Sequence, residues 1–156
     1  MASKYKPVGG VERVILYPAD AVRTVLFSSN GCEVELSEPL LEVELLDDAS
    51  HYKEKSECIN GVVKIDHLLH IVADRKEAEK WLDSDFLEQV SIEGVVATVH
   101  LEDGRSLLVG YSSRFGNEQP LRLDSIVSSS GDKLHNRPTV ALQLISHDTD
   151  FSCEII

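Results

Sequence analysis

Between residues 94 and 156, apolar and polar positions alternate with a period of two. Val95, Ala97, Val99 and Leu101 fall on one side, and Val96, Thr98, His100 and Glu102 on the other. Asp103-Gly104 then offers a tight-turn dipeptide, and Leu107, Val109 and Tyr111 alternate on the return. Successive side chains of a strand point to opposite faces, so this pattern predicts two antiparallel strands closed by a hairpin turn. Further strands are predicted at 121–128 and 138–146. The apolar ending Ile155-Ile156 predicts a terminus docked on the sheet or on a neighbouring chain.

The first half reads the same way. Val14, Ile15 and Leu16 form an apolar run in a strand at 11–17, broken by Pro18-Ala19-Asp20, and 23–27 is a second strand. The turn cluster Ser28-Ser29-Asn30-Gly31 precedes Cys32, Val34 and Leu36, which alternate with Glu33 and Glu35. After 37–40, Leu41, Val43 and Leu45 alternate with Glu42 and Glu44. The polar stretch 47–57 reads as a loop carrying at most a short strand. Asn60-Gly61 opens the longest strand, 62–73, with Val63, Ile65, Leu69 and Ile71 on one face and Lys64, Asp66 and His70 on the other.

One segment switches to the helical period. Across 74–90, Ala78, Trp81, Leu82, Phe86 and Val90 make a single apolar stripe. Asp74 is placed to cap the first turn, with Glu77 three residues on, and Gly94 closes the segment. Asp83-Ser84-Asp85 are weak helix formers, so two shorter helices also fit. The expected fold is mainly β, an antiparallel sandwich or barrel with one flanking helix at about 74–90, in a single domain over 1–156.

Charge and cysteine content narrow the classes. A net charge of -12 opposes binding to nucleic-acid phosphates or to an anionic membrane surface. Three cysteines without CxxC spacing predict reduced thiols that act as small apolar residues in a cytoplasmic setting. Residues 1–7 lack the apolar core of a signal peptide, and no apolar run is long enough to span a membrane.

Candidate chemistry is sparse. With 37–40 as a hairpin loop, Glu35 faces Glu42 and Glu33 faces Glu44, an all-acidic face that like-charge repulsion disfavours. Three readings fit it: a solvated outer face, an acidic channel lining that does not adhere to phosphate, or a hard-cation site. His67 and His70 point to opposite faces of their strand and cannot share a metal, and His67 reads as a hydrogen-bonded core histidine. His147-Asp148-Thr149-Asp150 reads as a turn ahead of a metal loop. Residues 110–114 lack the glycine pattern of a nucleophile elbow, and no phosphate-cradling glycine loop precedes a helix. No enzyme and no cofactor are expected. The loop with Arg114, Phe115, Asn117 and Gln119 has the composition of a protein contact, or Phe115 plugs the end of the barrel.

Two strings carry a resemblance. The first runs over 107–123, through Gly110, Tyr111, Arg114, Phe115 and Pro120; the second over 137–144, followed by Asp148, Thr149, Asp150 and Phe151. Together they resemble small phage- and prophage-type proteins of Bacteroidetes genomes, and the whole layout is similar to that of phage tail-tube and related tail proteins. The resemblance implies a β-sandwich or barrel with one helix and a long protruding loop, for which 47–60 and 113–120 compete. It implies a structural subunit of a tail-like particle, made in the bacterial cytoplasm and assembled with copies of itself, commonly as a hexameric ring, and with other tail proteins. A tail terminator or head–tail connector shares the layout. Glu33, Glu35, Glu42 and Glu44 would then line the lumen, and Arg114, Phe115, Asn117, Gln119, Ile155 and Ile156 would meet neighbouring subunits. From another class, a free-standing protein- or glycan-binding module fits the same pattern.

Overall fold

The computed structural model describes residues 10–46, 49–130 and 138–156. The polar stretch 1–7, Gly9, Asp47, His135 and Arg137 lie outside the described residues. The first strands are β1 (Val11–Pro18), β2 (Val22–Ser28), β3 (Gly31–Leu36), β4 (Leu41–Val43), β5 (His51–Ile59) and β6 (Val62–Asp74). Two short helices follow, α1 (Arg75–Glu79) and α2 (Ser84–Glu88), the second running into a π-helical turn at Gln89–Glu93. The chain then forms β7 (Val95–Leu101), β8 (Ser106–Val109), β9 (Arg122–Ser129), β10 (Thr139–Asp148) and β11 (Cys153–Glu154).

These strands make a five-stranded sheet in the order β11-β8-β7-β1-β4, a four-stranded sheet in the order β5-β6-β10-β9, and a separate β2-β3 ribbon. All the ladders between them are antiparallel. The two larger sheets share one apolar core, which takes Val14 and Leu16 from β1, Val99 from β7, Leu69 and Ile71 from β6 and Leu142 from β10. The architecture is therefore mainly β, an antiparallel sandwich.

The predicted 95–111 hairpin is present, with Thr98 opposite Leu108 and Val99 opposite Leu107. Its outer face is not open to solvent, however. Val95, Ala97, Val99 and Leu101 enter the main core, while Val96 and Leu108 pack with Cys32 beneath the β2-β3 ribbon. The run Val95-Val96-Ala97 is apolar on both faces because both faces are covered.

The helical segment departs from a single helix. Asp74 caps α1 by accepting the Lys76 amide at 2.9 Å, as its position suggests, and Glu77 pairs with Lys80 at 3.2 Å. Asp83 starts a second helix by accepting the Phe86 amide at 2.8 Å. Asp83 competes for its own cap, which splits the stripe where weak helix formers sit. Trp81 and Phe86 still meet across the break with ring centroids 4.9 Å apart, and Phe86 and Val90 seal one end of the core.

The region read as a polar loop, 47–57, holds the first seven residues of the nine-residue strand β5. Of the β5 residues, Tyr52 alone is fully buried, and an edge strand with one deep anchor carries little apolar pattern.

Candidate functional site

The β5-β6 hairpin outruns the sheet that carries it. β10 accompanies β6 only as far as Ile65, opposite Asp148. Beyond that point the ribbon pairs with no third strand among the described residues, with Glu57 opposite Lys64, Cys58 opposite Val63 and Ile59 opposite Val62. Asn60 and Gly61 turn the chain with φ of 52° and 81°, the left-handed pair a two-residue hairpin needs. Ile59, Val62 and Val63 are 55%, 63% and 48% exposed, so the tip presents branched apolar groups to solvent. Val63 was expected on the core face; it stands past the end of the core instead. Of the two candidates for a protruding element, the segment ending at Asn60 is therefore the one that projects. The loop after β8 is folded back: Ser112 and Gly116 exchange backbone hydrogen bonds at 2.8 and 3.2 Å.

The four glutamates do not form one face. β3 pairs with β2, placing Glu33 opposite Leu26 and Glu35 opposite Thr24. β4 pairs with β1, placing Glu42 opposite Ile15. Residues 37–40 cross from the ribbon to the five-stranded sheet, so the expected Glu35–Glu42 and Glu33–Glu44 pairs do not exist. Like-charge repulsion is avoided by the crossing. Glu42 instead receives both Nε and Nη2 of Arg13, at 3.2 and 2.7 Å, which holds its carboxyl below the usual range.

The other nominated contacts are placed as follows. Asn117 donates to the Ala19 carbonyl at 3.0 Å, and the Gln119 carbonyl accepts the Ser146 hydroxyl at 2.6 Å. Arg114 lies over the ring of half-buried Phe115, 5.6 Å from its centroid. Ile155 bridges to Cys32 and donates its amide to Ser106, so the terminus docks on its own sheet, while Ile156 is 64% exposed.

A cleft of about 290 Å³ opens between the 28–31 turn and residues 150–154. Phe27 and half-buried Tyr111 stack on one side with centroids 6.2 Å apart and planes 11° from parallel, and Phe151 adds a third ring, exposed like Phe27. Hydroxyls of Ser28 and Ser112 and the side chains of Asn30 and Asp150 supply the polar lining.

Beside this cleft lies a buried polar network. Tyr52 Oη is 2.7 Å from His67 Nδ1 and 2.8 Å from Glu54 Oε1. His67 Nε2 faces the Asp150 carbonyl at 2.8 Å. The Ser152 amide donates to Glu54 Oε1 at 2.9 Å, and its hydroxyl donates to the same oxygen. Burial pushes the Tyr52 phenol well above its ordinary range. His67 is thus the hydrogen-bonded core histidine the alternation predicts; its partners on β5 lay in the stretch read as a loop. Asn60-Gly61 is the signal that finds them: besides opening β6, it is the turn that closes β5 onto it.

His147 and Asp148 end β10 where 147–150 was read as a turn; Asp148 accepts the amides of Thr149 and Asp150 at 2.6 and 3.4 Å, and only 149–150 bend away from the strand. Among the described residues, no group of three His, Cys, Asp or Glu side chains converges as a metal ion requires. Cys32 is buried, Cys153 half-buried, and Cys58 exposed at the hairpin tip, which corrects the expectation of three packed thiols. Comparison with protein-family models, curated proteins and solved structures returns no match for this chain.

Proposed function

We propose that the chain is a structural subunit that assembles with copies of itself, as a tube or ring component of a phage-tail-like particle. The observation that carries this reading is the projecting β5-β6 tip, where Ile59, Val62 and Val63 stand exposed beyond the sandwich. Three branched apolar side chains on a two-stranded ribbon are costly in water and suit burial against another surface. A contact between unlike patches, tip on one copy and body on the next, closes into rings or runs on as a tube. The resemblance of the 107–123 and 137–144 strings to phage- and prophage-type proteins, and of the layout to tail proteins, points to the same class, and the net charge of -12 suits a particle through which DNA passes without sticking.

Light scattering during size-exclusion chromatography tests the proposal. A mass several times the 17.3 kDa of the chain supports it, and a monomer at high concentration refutes it.

A second reading, a binding module for a protein or glycan, is favoured by the cleft with its Phe27–Tyr111 ring pair. It predicts a monomer whose ligand protects the 28–31 turn from hydrogen exchange.

A further inference from the structure

Two surfaces of this molecule gather exposed apolar side chains, and they are opposite in shape. One is the β5-β6 tip, a narrow ribbon on which Ile59 and Val62 stand exposed. These two are cross-strand partners, so they share one face of the ribbon, and Lys64, two residues on, stands on that same face. The other is the cleft of about 290 Å³ between the 28–31 turn and residues 150–154, where Phe27 and Phe151 are each 40% exposed. Its walls are fixed. Gly31, at φ 143°, presses so closely on the Glu154 carbonyl that a Cβ would strike it, and the Ile156 amide donates to the Cys32 carbonyl at 3.0 Å just beyond the turn.

Charge sorts the two surfaces as well. Asp150 and Glu154 line the cleft and, among the described residues, no Lys, Arg or His does. On the tip, Glu57 is met by Lys55 at 2.9 Å. Lys64 stands 3.8 Å from Asp66, beyond hydrogen-bond reach, and Asp66 is already held by His147 at 2.6 Å. The tip therefore offers an ammonium beside its apolar pair, and the cleft offers two carboxylates beside its rings. Such a cleft disfavours the acidic surface of a chain with net charge -12 and selects a segment that brings positive charge.

We infer that this cleft is the seat for the β5-β6 tip of a second copy of the chain, with Ile59 and Val62 against the rings and Lys64 at the acidic rim. Val62 adjoins the turn and Lys64 lies nearer the body of the ribbon, so the apolar pair enters first and the ammonium stops at the rim. The volume suits this occupant. About 290 Å³ lies at the foot of the range for small-molecule sites, about 300–1,000 Å³, and gives room for a few branched side chains, not an extended ligand. The Phe27 and Phe151 rings carry no polar group, so covering them buries apolar area and leaves no hydrogen bond to replace. Tip and cleft are unlike surfaces, so each copy gives one and receives one, the contact that closes into rings or runs on as tubes. The inference rests on the assembly reading above and adds to it the surface that receives the tip.

Charge exchange between copies tests the seat, read as the concentration for half-assembly in sedimentation velocity at low salt. Lys64→Glu and Asp150→Lys should each raise that concentration at least about tenfold, because each sets like charges against one another. The two variants mixed in equal amounts should assemble within about threefold of the wild type, since every tip can then find a cleft of opposite charge. Rescue by mixing places the two partners on different chains. Ser29→Trp, which fills the cleft from an exposed turn position, should weaken assembly by a similar factor while leaving Tm in place. If either charge variant melts early, Ser29→Trp decides alone, and assembly unchanged by it overturns the seat. A wild-type chain that stays monomeric overturns the assembly reading and the seat together. A wild type that assembles while both charge variants do so equally well, or while their mixture fails to recover, overturns the seat alone and leaves the cleft to a separate ligand.

Discussion

Gly94 and Pro120 meet so closely that a Cβ on the glycine would lie 2.5 Å from the proline Cγ. Gly94 also sits at φ 88° and ψ 168°, a region open to glycine alone. The chain leaves the π-helical turn and enters β7 within this one residue, and Val95 and Leu121 exchange hydrogen bonds at 2.8 and 2.9 Å beside it. Gly94→Ala should therefore cost about 3 kcal/mol or more, a fall in Tm of at least about 6 °C. Gly61→Ala, at φ 81° with nothing within 4 Å, should lose only the backbone share, about 1 kcal/mol. Equal losses in thermal melts of the two variants would refute the role given to Pro120.

The Arg13–Glu42 pair predicts a pH signature. Arg13 holds the Glu42 carboxyl below its ordinary range, so its stabilisation is present at neutral pH and disappears as pH falls through that lowered value. Melts of the wild type and Glu42→Gln should differ at pH 7 and converge in acid. The pair is half exposed, so the gap is small. A gap that persists undiminished at acid pH would contradict the pairing.

Thiol reactivity separates the cysteines. Burial first, then the neighbouring Cys153 thiol, pushes Cys32 up to about 12, whereas Cys58 is exposed on the hairpin tip. At pH 8 a disulfide reagent should label Cys58 rapidly and Cys32 on the order of 100-fold more slowly, since the thiolate is the reacting form. Comparable labelling of both in the folded chain would mean that the ribbon does not seat Cys32 against Val96 and Leu108.

Much of this fold is legible as alternation. β6 and the β7-β8 hairpin announce themselves by apolar residues at every second position, because one face of each meets the main core, and the docked terminus by its apolar pair Ile155-Ile156. β5 does not, because Tyr52 is its one deep anchor and Lys53, Lys55 and Glu57 face water. The glutamate face failed for a different reason. Local pattern finds strands, but the choice of partner is made by tertiary packing, and here 37–40 changes sheets where a hairpin was expected. The buried network depends on residues 15 and 83 positions apart in the chain, which no local spacing encodes.

The hairpin tip separates stability from assembly. Val62→Lys removes an apolar side chain that is 63% exposed and packs in neither core cluster. It should change stability by about 0.5 kcal/mol or less while abolishing the oligomer in light scattering. Loss of stability together with loss of mass would instead place Val62 within the fold.

Negative-stain electron microscopy of the purified wild-type chain tests the central claim most directly. Self-assembly through the projecting tip predicts annuli or tubes of uniform diameter that vanish with Val62→Lys. A field of isolated particles of about one chain's mass, unchanged at high protein concentration, would contradict it.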